Sequence, residues 1–293
     1  MLQCIDHILM GVSDLIRAQS QLRQLGFNVS DALMGSPEGL QKASAFNEKD
    51  SIQLCAIGKE KPFMQNGSIV GEDFAAFIAA GGGIRAVAIV SDDLDADVAA
   101  MRARDVEVLP IIQATKSLAN AKGVPVRIAL LGPANRLPLY FIEYPNLPQA
   151  LGPDEAGLFT HPNAVYTLER TYIVTDHLHE NVLIYARVLG LPPPSIVKGT
   201  VIMSDMAVFD LGGMGLGIVQ PYAEGPALQA LTARGPGPFQ ALYRTRSMDQ
   251  ARLWMKDQGV PSLPCGVRNT GEVAMLAPPE LAAGAYIGFV GMA

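Results

Sequence analysis

One short pattern occurs four times along the chain. In each repeat an apolar strand runs into a small polar corner, and an amphipathic stretch with a closing turn residue follows. The repeats begin at Ile5, Ile84, Leu168 and Phe239, and three of the corners read V-S-D, V-S-D and V-T-D. Because a unit recurring at this spacing is one supersecondary motif, the repeats constrain the fold more strongly than any single residue does.

Each repeat continues past its helix into further segments with strand character. Short apolar runs directly after two of the helices, Phe27–Val29 and Val106–Val108, are predicted to be strands. Longer strands are predicted at 39–46, 51–57, 124–131, 137–144, 200–211, 215–220, 272–276 and 285–290. The predicted unit is therefore strand, helix, strand, strand, strand, or βαβββ.

The ends of the helices are indicated by their capping residues. Apolar residues recur at three- and four-residue steps from Leu15 to Leu25, as expected for a helix that buries one face. Asp14 and Asp92 are predicted to be N-caps, whose side chains accept hydrogen bonds from free backbone N–H groups. Three glycines are predicted to end helices in the left-handed conformation: Gly26, Gly190 and Gly259.

Length and composition limit the class of protein. With 293 residues the chain is long enough for two domains, and the proline-rich segment 145–167 divides it into predicted domains 1–146 and 166–293. A net charge of −6 argues against nucleic-acid and anionic-membrane surfaces. The sequence shows no basic signal-peptide region and no long apolar stretch, and its three cysteines have no CxxC spacing. We therefore expect a cytoplasmic protein with reduced thiols.

The order of the repeats resembles the vicinal oxygen chelate superfamily, which includes glyoxalase I and the extradiol dioxygenases. Four segments carry the resemblance: Ile5–Leu9, Leu25–Phe27, Leu137–Glu143 and Tyr185–Leu191. The resemblance implies an α+β fold in which four βαβββ units pair into two cup-shaped mixed-sheet domains. It also implies a glyoxalase- or dioxygenase-like enzyme that acts on a small oxygenated compound, such as a keto or aromatic acid.

In that superfamily, side chains from four strands of one cup hold a divalent metal. The resemblance carries this role to His7 on the first strand, Gln53 on the fourth and Glu143 on the eighth. One nitrogen and two oxygen donors suit iron, zinc, manganese or nickel. When the V-S-D corners are aligned, Arg85 takes the place of the fifth-strand histidine of the family.

Arg85 leaves three interpretations of this site open, because a guanidinium cannot bind a metal. The first is a metal centre formed by His7, Gln53 and Glu143. The second is a metal-free site in which Arg85 binds the carboxylate of a substrate and His7 or Glu143 is the acid or base. The third is a structural network of His7, Glu143 and Arg85. A metal-free small-ligand-binding protein of the same fold is the alternative to an enzyme.

The second half of the chain is poorer in candidate ligands. Among its aligned positions only Glu169 has a side chain that can bind a metal. We therefore expect this half to have a structural or substrate-covering role. The expected partner is a small molecule rather than nucleic acid or membrane, and a homo-oligomer is compatible with the fold.

Overall fold

A computed structural model describes residues 1–32, 39–58, 70, 73–116, 124–135, 137–145, 157, 159–268 and 270–292. Its helices are α1 (Leu15–Gln24), α2 (Phe74–Ala79), α3 (Leu94–Arg102), α4 (Leu178–Leu189), α5 (Pro226–Arg234) and α6 (Met248–Asp257). None of the helices in these ranges combines the length and the apolar composition that crossing a membrane requires.

The strands of the described ranges follow the repeats. The first two repeats contain β1 (Leu2–Gly11), β2 (Leu40–Phe46), β3 (Ser51–Ile57), β4 (Gly83–Ser91), β5 (Ile112–Lys116), β6 (Val124–Leu130) and β7 (Leu139–Glu143). The last two contain β8 (Val165–Val174), β9 (Val197–Gly199), β10 (Ser204–Leu211), β11 (Met214–Pro221), β12 (Gly237–Thr245), β13 (Leu263–Val267), β14 (Glu272–Ala277) and β15 (Tyr286–Met292).

The strands form two sheets, each built from two successive repeats. The first has the order β2-β3-β1-β4-β7-β6-β5 and the second β13-β14-β15-β12-β8-β11-β10-β9, so first strands are neighbours in both. Within each repeat the first and last strands can run parallel, as β4 and β7 do, while β6 and β7 are antiparallel. The predicted α+β fold of two curled mixed sheets is confirmed.

The chain also divides into two compact units that do not follow the repeats in simple order. The first unit contains Met1–His7, Ala86–Gly152 and Ile173–Gly237, and the second contains Ile8–Arg85, Pro153–Tyr172 and Pro238–Ala293. The predicted boundary between domains 1–146 and 166–293 stays a prediction. Residues 146–156 and 158 of the predicted linker lie outside the described residues.

In the first compact unit an arginine stabilises the end of α4. Arg104 follows α3 and donates from Nε to the carbonyl of Arg187 at 2.7 Å, where α4 has carbonyls without helical partners. The chain then leaves α4 through Gly190, at a φ of +68°. The positive φ favours glycine here, and a Cβ atom at Gly190 would also lie 2.9 Å from Nη2 of Arg104 and would displace the end of that side chain.

In the second compact unit a buried histidine connects the segment before β8 to the first repeat. His161 is 3% exposed and packs edge-on against Phe27, with 5.4 Å between ring centroids. Its Nδ1 accepts from the backbone N–H of Asn28 at 3.0 Å, and its Nε2 lies 2.9 Å from Oδ1 of Asn47. Because Nδ1 is an acceptor, the proton is on Nε2 and the ring is neutral.

The short strands predicted directly after two helices are wrong. Residues 27–29 are not in a strand, and of 106–108 only Val108 forms an isolated bridge. Phe27 and Val106 are 1% and 2% exposed, so burial of a loop beneath the sheet produces the same apolar pattern as a strand. In the second, third and fourth repeats, the first strand after the helix begins later, at β5, β9 and β13 respectively.

The caps at the helix ends are largely as predicted. Asp14 caps α1, accepting from the N–H of Arg17 at 3.0 Å. Gly26, Gly190 and Gly259 all have positive φ, which confirms the predicted helix exits.

The cap of α3 is a correction. Asp93 rather than Asp92 is its N-cap and accepts from the N–H of Ala96 at 3.0 Å. Asp92 instead pairs with the N-terminal ammonium. The corner between β4 and α3 therefore has one residue more than the V-S-D alignment implies. Counting back seven residues from each cap makes Ala86, rather than Arg85, the counterpart of His7.

We predict that Asp93→Ala lowers the free energy of unfolding by about 1 kcal/mol, because it removes an N-cap hydrogen bond. Asp92→Ala is the matched control, since it removes an adjacent carboxylate whose partners, the N-terminal ammonium and Gln3, form exposed contacts. Urea denaturation of both variants measures the difference. Equal losses for the two would contradict the assigned corner.

Candidate functional site

His7 lies at the centre of a chain of hydrogen-bonded side chains in the first compact unit. Its Nδ1 contacts the carboxylate of Asp6, and its Nε2 contacts the hydroxyl of Tyr140. Tyr144 donates its hydroxyl to the other oxygen of Asp6 at 2.7 Å. His7 and Tyr140 are each 2% exposed, so the middle of this hydrogen-bonded chain is shielded from water, while Asp6 is 13% exposed.

The contacts show which group donates and which accepts in each of these hydrogen bonds. The Asp6 carboxylate can only accept, so Nδ1 of His7 carries a proton and Nε2 accepts from Tyr140. Burial, reinforced by the negative charge of Asp6, raises the pKa of Tyr144, which keeps that hydroxyl a donor. The order Tyr140, His7, Asp6 is therefore hydroxyl, neutral imidazole, carboxylate, the order that a general base uses to activate a hydroxyl.

The spacing of Tyr140 and Tyr144 explains why one tyrosine reaches His7 and the other reaches Asp6. Tyr140 pairs with Ala88 of the parallel strand β4. Tyr140 and Tyr144 are four residues apart, an even spacing that places both side chains on one face of an extended chain. The sequence contained this signal, together with the acidic Asp6 beside His7. The predicted site nevertheless omitted Asp6, Tyr140 and Tyr144.

Glu143 is on the opposite face of β7 from Tyr140, because their positions in the strand differ by an odd number. Its carboxylate accepts from Arg127 Nη1 at 2.8 Å and from the backbone N–H of Leu94 at 3.2 Å. Arg127 also binds Asp95 at 2.7 Å. Glu143 thus attaches the start of α3 to the sheet, and the structure does not bring it together with His7.

Arg85 and Gln53 belong to the second compact unit. Arg85 donates from Nε to the carbonyl of Val70 at 2.9 Å, pairs with Asp73, and lies over the ring of Phe77. These contacts attach β4 to the start of α2. Gln53 is 9% exposed on β3. The roles of Arg85 as a substrate anchor and of Gln53 as a metal ligand stay predictions.

The observed donors do not fit a divalent metal. Both ring nitrogens of His7 are in hydrogen bonds, so the ring has no lone pair left for an ion. Glu143 is neutralised by Arg127. Across the described ranges, no three His, Cys, Asp or Glu side chains come together as a metal-binding group. For the predicted set of His7, Gln53 and Glu143 to bind a metal, His7 would have to give up Asp6 or Tyr140, and Glu143 would have to give up Arg127.

In the second compact unit, Glu169 is paired with arginine. Glu169 is 5% exposed, and Arg268 binds its two oxygens at 2.9 and 3.0 Å. Arg244 lies 3.8 Å from the same carboxylate and donates to Glu272 at 2.8 Å. The hydrogen bond from Arg244 lowers the pKa of Glu272 against the opposing effect of burial, with Thr270 as a further donor.

The pKa of Glu272 predicts a pH dependence of stability. A carboxyl group with a lowered folded-state pKa stabilises the fold above its unfolded pKa of about 4.3, and the contribution disappears as pH falls through the folded value. We expect Glu272→Gln to lose stability at neutral pH and to approach the native protein as pH falls below about 4. Urea denaturation across pH measures this. A stability difference that does not change with pH would contradict the ion pair.

Known proteins with similar sequences or structures share this fold. A family model described as a glyoxalase-like domain matches residues 5–189. A variant of 4-hydroxymandelate synthase from Streptomyces coelicolor has a TM-score of 0.69 and 16% identity, over 99% of this chain and 93% of that chain. A hypothetical protein from Staphylococcus aureus has a TM-score of 0.62 and 11% identity, over 99% of both chains.

A third similar structure is a xylose isomerase-like TIM barrel/4-hydroxyphenylpyruvate dioxygenase fusion protein. It has a TM-score of 0.63 and 15% identity, over 100% of this chain and 50% of that chain. No protein with a curated description matches. At these identities the structures establish the fold, whereas the family model covers more than half of the chain. The chain therefore belongs to the glyoxalase-like domain family, within the vicinal oxygen chelate superfamily.

Proposed function

We propose that the chain is a glyoxalase-like enzyme that transfers a proton on a small oxygenated compound, such as a keto or aromatic acid. The observation that carries this proposal is the buried order Tyr140, His7, Asp6. A carboxylate in a protein interior is costly unless it stabilises a partner, and here its partner is an imidazole that already accepts from a phenol. Membership of the glyoxalase-like family supports a small-molecule substrate.

The reacting atom in this proposal is the hydroxyl oxygen of Tyr140. Tyr140 passes its proton to Nε2 of His7 and becomes a tyrosinate. The tyrosinate takes a proton from a carbon next to the carbonyl of the substrate, and the electron pair moves into an enolate. Return of a proton from Tyr140 to the same carbon regenerates the carbonyl compound and completes an exchange. His7 then gives its proton back to the tyrosinate, which restores Tyr140 and neutral His7.

Asp6 and Tyr144 make this transfer possible by electrostatics. The imidazolium that forms on His7 is adjacent to the Asp6 carboxylate, and a nearby opposite charge favours the charged form of the ring. Tyr144 holds Asp6 in place through its hydrogen bond of 2.7 Å. Such preorganised groups cost little reorganisation when the charge develops.

A divalent metal is the other route that the superfamily suggests, and it would polarise the substrate carbonyl directly. That route requires His7 to give up Tyr140 or Asp6, because both of its nitrogens are engaged. The proposed transfer therefore uses only protein groups.

A metal-free binding protein is the second candidate. The observation in its favour is that His7 and Tyr140 are each only 2% exposed. Such burial is also expected when a polar network has a purely structural role. In such a protein the four side chains would shape the wall of the cup without donating or accepting a substrate proton.

The test follows proton exchange by NMR for a panel of keto and aromatic acids in D₂O. We expect Tyr140→Phe and His7→Gln to slow exchange at least about 100-fold, the usual contribution of a general acid or base. Tyr222→Phe and His177→Gln are matched controls because they remove the same groups from side chains that are exposed, and both should retain the native rate.

Two results would contradict the proposal. Exchange that is abolished by a chelator, is restored by iron, zinc, manganese or nickel, and survives Tyr140→Phe would establish the metal route. Acids that raise the melting temperature without any exchange in the panel would establish the binding protein.

A further inference from the structure

An open groove lies along α6 in the second compact unit. Its volume is about 490 Å³, which is within the range of sites that bind small molecules. It is lined by residues of α6 and by one residue of the segment before β8, namely Gln250, Leu253, Trp254, Asp257 and Pro162. The α6 residues follow one another at the three- and four-residue spacing of a single helix face. One side of the groove is therefore a continuous helical wall.

The middle of this wall is apolar and in contact with solvent. Leu253 is 59% exposed, and it lines the groove together with the indole of Trp254 and the ring of Pro162. A single exposed leucine on a convex surface is ordinary, but here it is part of a concave surface. A ligand with an apolar body would remove this surface from water, which is favourable.

The side chains at the wall are held in place before any ligand arrives. Nε1 of Trp254 donates to the carbonyl of Arg23 at 3.3 Å, and a Cβ atom at Gly26 would lie 3.0 Å from Cδ1 of the indole. The five-membered ring is thus fixed against the end of α1, which leaves the six-membered ring to face the groove. Gln250 donates from Nε2 to the carbonyl of Pro162 at 2.8 Å. A preformed wall lowers the entropic cost of binding.

Asp257 gives the groove a negative charge. It is exposed, and no cationic side chain of the described ranges forms an ion pair with it. It is also the last residue of α6, where the helix dipole already favours a cation. Lys256 does not line the groove, and Arg23 directs its guanidinium to the carbonyl of Val29 at 3.0 Å. The complementary ligand therefore carries a positive charge beside an apolar group.

We propose that this groove binds a small aromatic amine. The aromatic ring packs against Leu253 and the indole of Trp254, and the ammonium group pairs with Asp257. Side chains three residues apart on a helix have Cβ atoms about 5–6 Å apart, so a linker of two carbons between ring and nitrogen spans from Trp254 to Asp257. Binding in this groove involves no proton transfer and does not depend on the reaction proposed at Tyr140.

The fluorescence of Trp254 provides a direct measurement, because this residue is the only tryptophan of the chain. The native protein is titrated with three probes while only tryptophan is excited. Phenylethylamine has the ring and the charge, phenylethanol lacks the charge, and ethylamine lacks the ring. We expect phenylethylamine to change the emission saturably and phenylethanol to bind about fivefold more weakly, as expected for the loss of an ion pair near the surface. Ethylamine should leave the emission unchanged.

Two pairs of variants assign the binding to the named side chains. Asp257→Asn should weaken phenylethylamine binding about fivefold and abolish the preference over phenylethanol. Asp249→Asn is its control, since Asp249 is on the same helix but pairs with Arg252. Leu253→Asn should weaken the binding of both aromatic probes about fivefold through the loss of apolar contact area. Leu183→Asn is its control, because Leu183 is 62% exposed on α4.

The melting temperature of the free protein separates binding from a structural role. Asp257→Asn should not lower it, because the carboxylate has no ion pair within the described residues and lies at the unfavourable end of the helix dipole. A clear loss of stability in Asp257→Asn would show that the carboxylate supports the fold, and it would overturn the assignment of Asp257 to a ligand.

The proposal is also overturned if phenylethylamine causes no saturable change in emission. Equal affinity for phenylethylamine and phenylethanol would show that the groove does not recognise charge and would reject the amine. Equal effects of Asp257→Asn and Asp249→Asn would mean that the overall charge of the protein is responsible. Because no variant in these measurements alters Tyr140 or His7, their outcome is separate from that of the exchange experiment.

Discussion

The register of the first strand in each repeat is the constraint on which the rest of the structure depends. A strand presents alternate residues to opposite faces, so one additional residue at the corner changes the face of every side chain before it. Asp14 caps α1 seven residues after His7, and Asp93 caps α3 seven residues after Ala86. The position that carries an imidazole in the first repeat therefore carries only a methyl group in the second. Besides Asp6, the partner of His7 is therefore Tyr140 on β7 rather than a side chain at the equivalent position of β4.

The parts of the fold that follow from local sequence could be predicted. The order of strand and helix and the glycine exits depend on patterns within a few residues, whereas the pairing of repeats was expected from the family resemblance. The second strand of each repeat could not be placed, because a buried loop residue such as Phe27 has the same composition as a strand residue. Asp92 and Asp93 are adjacent carboxylates, and only the geometry of the backbone shows which of them reaches the free N–H groups of α3.

The candidate site was predictable in part for a similar reason. His7 is prominent as a polar residue in an apolar strand, and the structure places it in a polar network. Glu143 looks equally prominent, but its charge is matched by Arg127, its cross-strand partner on the preceding strand β6. Tyr140 and Tyr144 are not distinctive in the sequence, because a tyrosine in a strand is ordinary. Their importance depends on the neighbour across the sheet, which a single sequence does not reveal.

Most buried charges in the described residues have a partner of opposite charge, whereas His161 is held in a different way. Its ring accepts at Nδ1 from Asn28 and is therefore confined to one uncharged tautomer. The segment around His161 and Asn163 is thus joined to the first repeat by a bridge that ionic strength cannot weaken. Among the four histidines of the chain, this one can take up a proton only by releasing that attachment, so acidification and detachment are a single event.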